Sequence, residues 1–136
     1  MLAGARSLLR TRHDALSRDG RNELIAHVWR GRTAAEDAET YGGVLERTRA
    51  RALASAPGSL GVLVLWRAEG DGAEFVVLSL WESQHAVEVQ RGDDGSGLDV
   101  HPDEDVYLID REQEASDYEF YVRGDLALAA ALWTRP

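Results

Sequence analysis

The sequence predicts an α+β fold in which one antiparallel sheet carries two helices on a single face. Three observations lead there. Strand-like segments, some alternating and some apolar on both faces, occur at 23–30, 61–67, 73–83 and 118–123. Helix signals fall between the first and second of these, and again between the third and fourth. The order strand, helix, strand, strand, helix, strand is the split βαβ or ferredoxin-like arrangement.

Strand one runs from Glu23 to Arg30, closed by Gly31, with Ile25, His27 and Trp29 on one face and Leu24, Ala26 and Val28 on the other. Thr33-Ala-Ala-Glu36 then reads as a capping box, in which hydroxyl and carboxylate each satisfy an orphan amide. Ala38, Tyr41, Leu45, Thr48 and Ala52 recur at helical steps and form the buried stripe of helix one. Gly42 and Gly43 lie inside that helix, where each costs about 1 kcal/mol relative to alanine, so close packing is expected there. Pro57-Gly58 ends the helix.

Gly61 to Arg67 is strand two, and Glu69-Gly-Asp-Gly72 is a hairpin loop. Strand three, Ala73 to Ser83, organises the rest. Phe75, Val77, Ser79 and Trp81 share one of its faces; Glu74, Val76, Leu78 and Leu80 share the other. Ser83 caps a second helix that reaches about Gln90, with Ala86, Val87 and Gln90 on one side and Arg91-Gly92 at its close. Residues 92–105 read as loop by composition. Val106 to Ile109 is apolar but assignable to neither helix nor strand. Tyr118 to Arg123 is the last strand. This gives a domain over 23–123, an N-terminal extension over 1–22 and a C-terminal tail over 124–136. The extension reads as a frayed segment or as an arm for a partner subunit, and the tail as a docking helix or disorder.

Composition narrows the chemistry. A chain of 136 residues buries roughly two-thirds of its unfolded surface, enough for a core without staples. It has no cysteine, which excludes disulfides, thiolate nucleophiles and cysteine-bound metals. It has no lysine either, since all 15 basic residues are arginine, which excludes Schiff-base chemistry. The net charge is −9, and residues 93–119 hold eleven acids against Arg111 alone. Such acidity argues against nucleic acid as a partner. No apolar run has the length of a membrane span and no signal-peptide core stands near the N-terminus, so no membrane association and a cytoplasmic location are expected.

Strand three is apolar on both faces, and two helices cover only one. The face with Ile25, His27, Trp29, Phe75, Val77, Ser79 and Trp81 is then expected to lie open. Each large apolar side chain left in water forfeits roughly 1.5–3 kcal/mol, and a patch that large is unusual on a monomer. The expectation is a homodimer, sheet packed on sheet, with a barrel between the subunits.

Several runs carry a family resemblance: L-I-A-H-V-W-R-G-R-T, the helix with Tyr41 and L-E-R-T, P-G-S-L-G-V-L-V-L-W-R, E-F-V-V-L-S-L-W-E-S and D-Y-E-F. Together they resemble the antibiotic biosynthesis monooxygenase group of the dimeric α/β-barrel superfamily, over about residues 23–123. The most specific piece is Leu80-Trp81-Glu82-Ser83 followed by Ala86. The resemblance implies an oxygenase that uses no cofactor and acts on small aromatic, polyketide-type or quinol substrates. It implies a cavity on the barrel face, where a phenol loses a proton and its anion reacts with oxygen directly. Haem degraders resembling this fold use an Asn, a His and a Trp. Trp81 matches their tryptophan, but His27 stands at the asparagine position, the only asparagine is Asn22, and neither His85 nor His101 is where their histidine would be. These departures count against haem.

Among candidate residues, His27 is the expected acid–base group, because histidine titrates near neutral pH; a structural histidine bonded to a carbonyl or a tyrosine is the alternative. Trp29, Trp81 and Trp66 suit an aromatic slot for a planar ligand, or plain packing. Ser79 is expected either to orient a substrate oxygen or merely to bond within the sheet, and Tyr121, if it faces the cavity, to share a proton with His27. Asp99, His101 and Asp103 alternate as ligands do, but lack the order of a calcium loop, so no metal is expected. The rival function is a non-catalytic dimeric binding or scaffold protein. A closed cavity beside Trp81 and His27 favours the oxygenase; a packed seam favours the scaffold.

Overall fold

The computed structural model describes residues 24–93 and 96–121. The chain divides into two units, and every element below belongs to the larger one, Glu23–Glu119. The expected extension over 1–22, the tail over 124–136 and the Val122–Arg123 end of the expected last strand lie outside the described residues.

Among the described residues five strands form one antiparallel sheet: β1 (Ile25–Ala34), β2 (Ser59–Glu69), β3 (Gly72–Trp81), β4 (Leu108–Arg111) and β5 (Ser116–Glu119). The order is β2-β3-β1-β4, with β5 also on β1. This is the expected ferredoxin-like arrangement with its fourth strand split. β4 pairs with Gly31–Thr33 and β5 with Ile25–Val28, so the two follow one another along the same edge of β1. Val106–Ile109, unassigned from sequence, contributes the start of β4. The last strand is shorter and earlier than expected.

β1 runs through Gly31 rather than stopping there. A Cβ at Gly31 would overlap the Trp29 ring and crowd Leu108, so glycine is what lets that ring lie over the strand. The strand continues through Thr33, which pairs with Ala73 and Leu108, to Ala34. The capping box expected at Thr33 therefore does not form. The Thr33 hydroxyl donates to the Ala34 carbonyl at 2.9 Å, and the short 3₁₀ turn Ala35–Asp37 starts without a side-chain cap. Sheet pairing has claimed the residue that the motif needs.

Helix one is α1 (Ala38–Leu45), a π-helical turn (Glu46–Ala50) and α2 (Arg51–Ser55) in succession. Its buried residues are Tyr41, Val44, Leu45, Arg49 and Leu53, not Thr48 and Ala52. A π turn holds more residues than an α turn, which moves the inward face on by one position. The Thr48 hydroxyl donates to the Val44 carbonyl at 2.8 Å just there. Gly42 and Gly43 are not demanded by close packing. A Cβ at Gly42 would meet Phe75 at an ordinary 3.7 Å, and one at Gly43 only the flexible end of Arg47.

The hairpin between β2 and β3 turns at Gly70 and Asp71, with Gly70 at φ +61°, the left-handed region glycine favours. Ser83 caps α3 (Gln84–Arg91) as expected, its hydroxyl accepting from the Ala86 amide at 3.1 Å. The stretch expected as loop holds a 3₁₀ turn, Ser96–Leu98, and the short helix α4 (Pro102–Asp105).

The helices cover the face that the sequence argument left open. Ile25, Trp29, Phe75, Val77 and Trp81 pack with Tyr41, Leu45, Leu53, Ala86 and Val87 in one core. Tyr41 meets Phe75 edge-on, with ring centroids 4.8 Å apart. The barrel face assigned to His27, Trp29, Ser79 and Trp81 is thus the inner face of the chain's own sheet. Alternation sorts side chains into two sets but does not say which set the helices choose. The set with phenylalanine and two tryptophans has the most surface to hide. On the opposite face Ala26 and Val28 are buried, Val76, Leu78 and Leu80 are half-buried, and on the edge strand β2 Leu63 and Leu65 are exposed.

Candidate functional site

The split in the fourth strand makes the site. Val28 pairs with Ser116 and Gly31 with Arg111, so Trp29 and Arg30 face the four residues Glu112–Ala115. The surplus chain bows away from β1. Glu112 repairs the interrupted ladder: its amide donates to the Arg30 carbonyl at 2.9 Å, and its carboxylate Oε1 accepts from the Arg30 amide at 2.8 Å. Its carbonyl accepts from Trp29 Nε1 at 3.3 Å.

Beneath the bow is a cavity of about 650 Å³, within the usual range for small-molecule sites. His27 and Trp29 of β1 form its floor, and Arg91 closes one side from the end of α3. Leu98, Asp99 and Val100 form a second wall, and Arg111–Ala115 a third.

His27 is the most buried ionisable side chain of the lining, 6 % exposed. Its Nδ1 lies 2.5 Å from Asp117 Oδ1, directly across the β1–β5 pairing. The second oxygen, Oδ2, accepts from Gln84 and from Arg91, each at 3.3 Å. Partial burial pushes the Asp117 carboxyl up, but the hydrogen bonds from His27 and Gln84, with the charges of His27 and Arg91, outweigh it and hold the group below its usual value. An ionised carboxylate only accepts, so Nδ1 carries the hydrogen. Nε2 is then the nitrogen left to meet a ligand, with its lone pair free when the ring is neutral.

Trp29 is braced from behind. The Arg49 guanidinium lies 4.0 Å from its ring centroid, a cation–π contact. Arg49 is buried beside Glu104, Nη2 to Oε1 being 3.1 Å. The angle there falls short of a hydrogen bond, and Arg49 Nε has no hydrogen-bond partner among the described residues. Glu104 is fully buried, accepts from the Tyr41 hydroxyl at 3.0 Å, and accepts through Oε2 from the His101 amide at 2.9 Å. Burial, with the neighbouring Glu104 charge, raises the Tyr41 phenol far above its ordinary value, so it stays a neutral donor.

Of the residues singled out from sequence, His27 and Trp29 come together in the cavity lining. Ser79 and Trp81 are fully buried and bonded to each other, Trp81 Nε1 donating to Ser79 Oγ at 2.9 Å; neither lines the cavity. Trp66 stands on the edge strand, 63 % exposed, stacked on Phe75. Tyr121 is half-exposed beyond β5 and is not in the lining. Asp99 lines the cavity, while His101 caps α4 by accepting from the Asp103 amide; among the described residues no cluster of metal-ligating side chains occurs. Asp117, Arg49 and Glu104 had not been singled out. Glu104 had a readable signal, because His101-Pro102-Asp103-Glu104 has the spacing of a capping box with proline in the first turn. Asp117 had none without the register of β5 against β1.

No protein-family model and no curated protein matches the chain. Solved structures do. A Bacillus cereus protein provisionally assigned as an antibiotic biosynthesis monooxygenase aligns with a TM-score of 0.54 at 17 % identity, covering 75 % of this chain and 95 % of that one. The fold is that of the antibiotic biosynthesis monooxygenases. A conserved Methanosarcina mazei protein shares this monooxygenase fold at TM-score 0.54 and 15 % identity, with 74 % and 95 % of the two chains covered. SnoaB, a cofactor-independent oxygenase from Streptomyces nogalater, shares it at TM-score 0.51 and 17 % identity, with 76 % and 97 % covered. The family resemblance noted in the sequence is thereby supported at the level of fold. Among the described residues no helix is long and apolar enough to cross a membrane.

Proposed function

We propose that the protein is a cofactor-independent monooxygenase acting on a small aromatic, polyketide-type molecule, with His27 as the base. The observation that carries this reading is a buried histidine on a cavity floor whose Nδ1 is committed to Asp117. That leaves Nε2 as acceptor for a substrate hydroxyl, the geometry general-base catalysis needs. Trp29 supplies apolar surface beside His27 on the floor, and Asp117, itself held by Gln84 and Arg91, orients the His27 ring.

The reaction balances without a further reductant. A hydroxyl proton of an anthrone-type substrate passes to Nε2, and the electron-rich carbon of the anion gives its electrons to dioxygen. One oxygen atom becomes the new carbonyl. The other leaves as water, taking the two hydrogens of the oxidised methylene, while His27 hands its proton back and returns to the neutral form.

The test is oxygen uptake with 1,8-dihydroxyanthrone, corrected for uptake without protein. The wild-type chain is expected to turn it over, and a folded His27→Ala variant to lose on the order of 100-fold in kcat. Uptake no faster than the blank, or unchanged in the variant, refutes the assignment. A cavity of this size also speaks for ligand binding over the scaffold reading, which required a filled seam.

A homodimer belongs to the same proposal, relocated to the opposite side of the sheet. Leu63 and Leu65 are exposed there, beside half-buried Val76, Leu78 and Leu80. Sedimentation at micromolar concentration is expected to show a dimer, dissociated by Leu63→Asp with Leu65→Asp. A wild-type monomer would end it.

A further inference from the structure

Charge pairing around the cavity leaves a remainder. Arg91 is paired with Asp117 at 3.3 Å. Glu112 is occupied by the Arg30 amide at 2.8 Å, with the Arg30 guanidinium at 4.0 Å. Arg111 has Asp105 at 3.7 Å. Asp99 and Glu114 also line the cavity, from two separate segments, and both are exposed. Neither has an ion-pair or hydrogen-bond partner among the described residues. Two exposed carboxylates therefore stand at the mouth, while on the floor His27 is more than nine-tenths buried, its Nδ1 held by Asp117 and its Nε2 without a hydrogen-bond partner among the described residues.

We propose that the cavity selects its ligand by charge: it disfavours a fixed negative charge and prefers an aromatic bearing a protonated amine, held at the mouth by Asp99 and Glu114. This rests on the reading of the cavity as a small-molecule site. An anionic ligand would have to draw Arg91 from Asp117 or Arg111 from Asp105, and would approach through the field of two unpaired carboxylates. A cationic one displaces no existing pair. The surrounding segment has the same sign, with eleven acids and Arg111 alone over 93–119, so the long-range field adds to the local one.

The experiment uses the full chain and three matched probes at pH 7: 2-naphthylmethylamine, 2-naphthol and 2-naphthoate. Dissociation constants are measured by calorimetry or ligand-observed NMR at low and at physiological salt. The amine is expected to bind on the order of tenfold tighter than the carboxylate at low salt, with naphthol between them, and salt to narrow the gap. Asp99→Asn with Glu114→Gln is expected to shrink it below about twofold. Naphthoate binding as well as the amine, or a gap that survives the double substitution, overturns charge selection and leaves the ligand site standing. Failure of all three probes to bind overturns both.

Discussion

Asp117 Oδ1 stands 2.5 Å from His27 Nδ1, and the two residues are register partners across β1 and β5. A backbone pairing thus does what distant segments usually need packing to do, because partners on one face of an antiparallel pair stand side by side. The carboxylate then fixes which imidazole nitrogen can meet a ligand.

That pair makes an acid-side prediction. The Asp117 carboxyl is held below its ordinary value of 3.8, so the unfolded chain binds more protons than the folded one as pH falls. The pair's stabilisation is present above that value and is lost as pH drops through the lower folded one. Asp117→Asn is expected to cost about 1–2 kcal/mol near neutral pH and to flatten the decline below pH 4. Urea denaturation from pH 7 to pH 2.5 measures both, and imidazole ¹⁵N shifts report whether the Nδ1–H form is lost. Identical acid curves for the two proteins would contradict the assignment.

Tyr41 makes the opposite, alkaline prediction. Its phenol is raised by burial and by Glu104, so the folded state holds a proton that the unfolded state releases. The contribution is complete below pH 10 and is lost as pH rises beyond it. Tyr41→Phe is expected to cost about 1–2 kcal/mol at pH 8, from the buried hydrogen bond, and to reduce the loss between pH 10 and pH 11.5. Phenolate absorbance from Tyr41 should be absent until well above pH 10.

The Arg49–Glu104 pair is buried at both ends, with side chains 6 % and 0 % exposed. Removing one partner strands the other. Arg49→Met or Glu104→Gln alone is expected to cost about 3 kcal/mol or more, whereas the double substitution costs less than the sum. Additive losses in a double-mutant cycle would show that the two charges do not act together.

Two glycines separate packing from propensity. Gly31→Ala is expected to destabilise by about 2 kcal/mol or more, because the new methyl occupies the place of the Trp29 ring and overpacking carries that cost. Gly42→Ala meets Phe75 only at ordinary contact and is expected to stabilise by up to about 1 kcal/mol. Melting temperatures moving in opposite directions would confirm the distinction; a destabilised Gly42→Ala would show that helix one cannot take the methyl.

What the sequence alone determined here is local. The alternation from Phe75 to Trp81, the turn at Gly70-Asp71 and the Ser83 cap are properties of neighbouring residues, and they were enough to order the elements and identify the fold. The π turn at Glu46–Ala50, the split of the fourth strand and the choice of sheet face were decided only in three dimensions. Period-two alternation is symmetric between faces, so it grouped His27 with Trp29 without saying that helices would close over them. The same grouping placed Ser79 and Trp81 beside them, yet both are fully buried there and the cavity lies beneath Glu112–Ala115. The partners that give His27 its tautomer and Trp29 its brace are an aspartate 90 residues further along the chain and an arginine brought inward by a π turn. Long-range register and one extra residue in a turn leave no periodic mark, which is why the candidate base could be read from the chain and its surroundings could not.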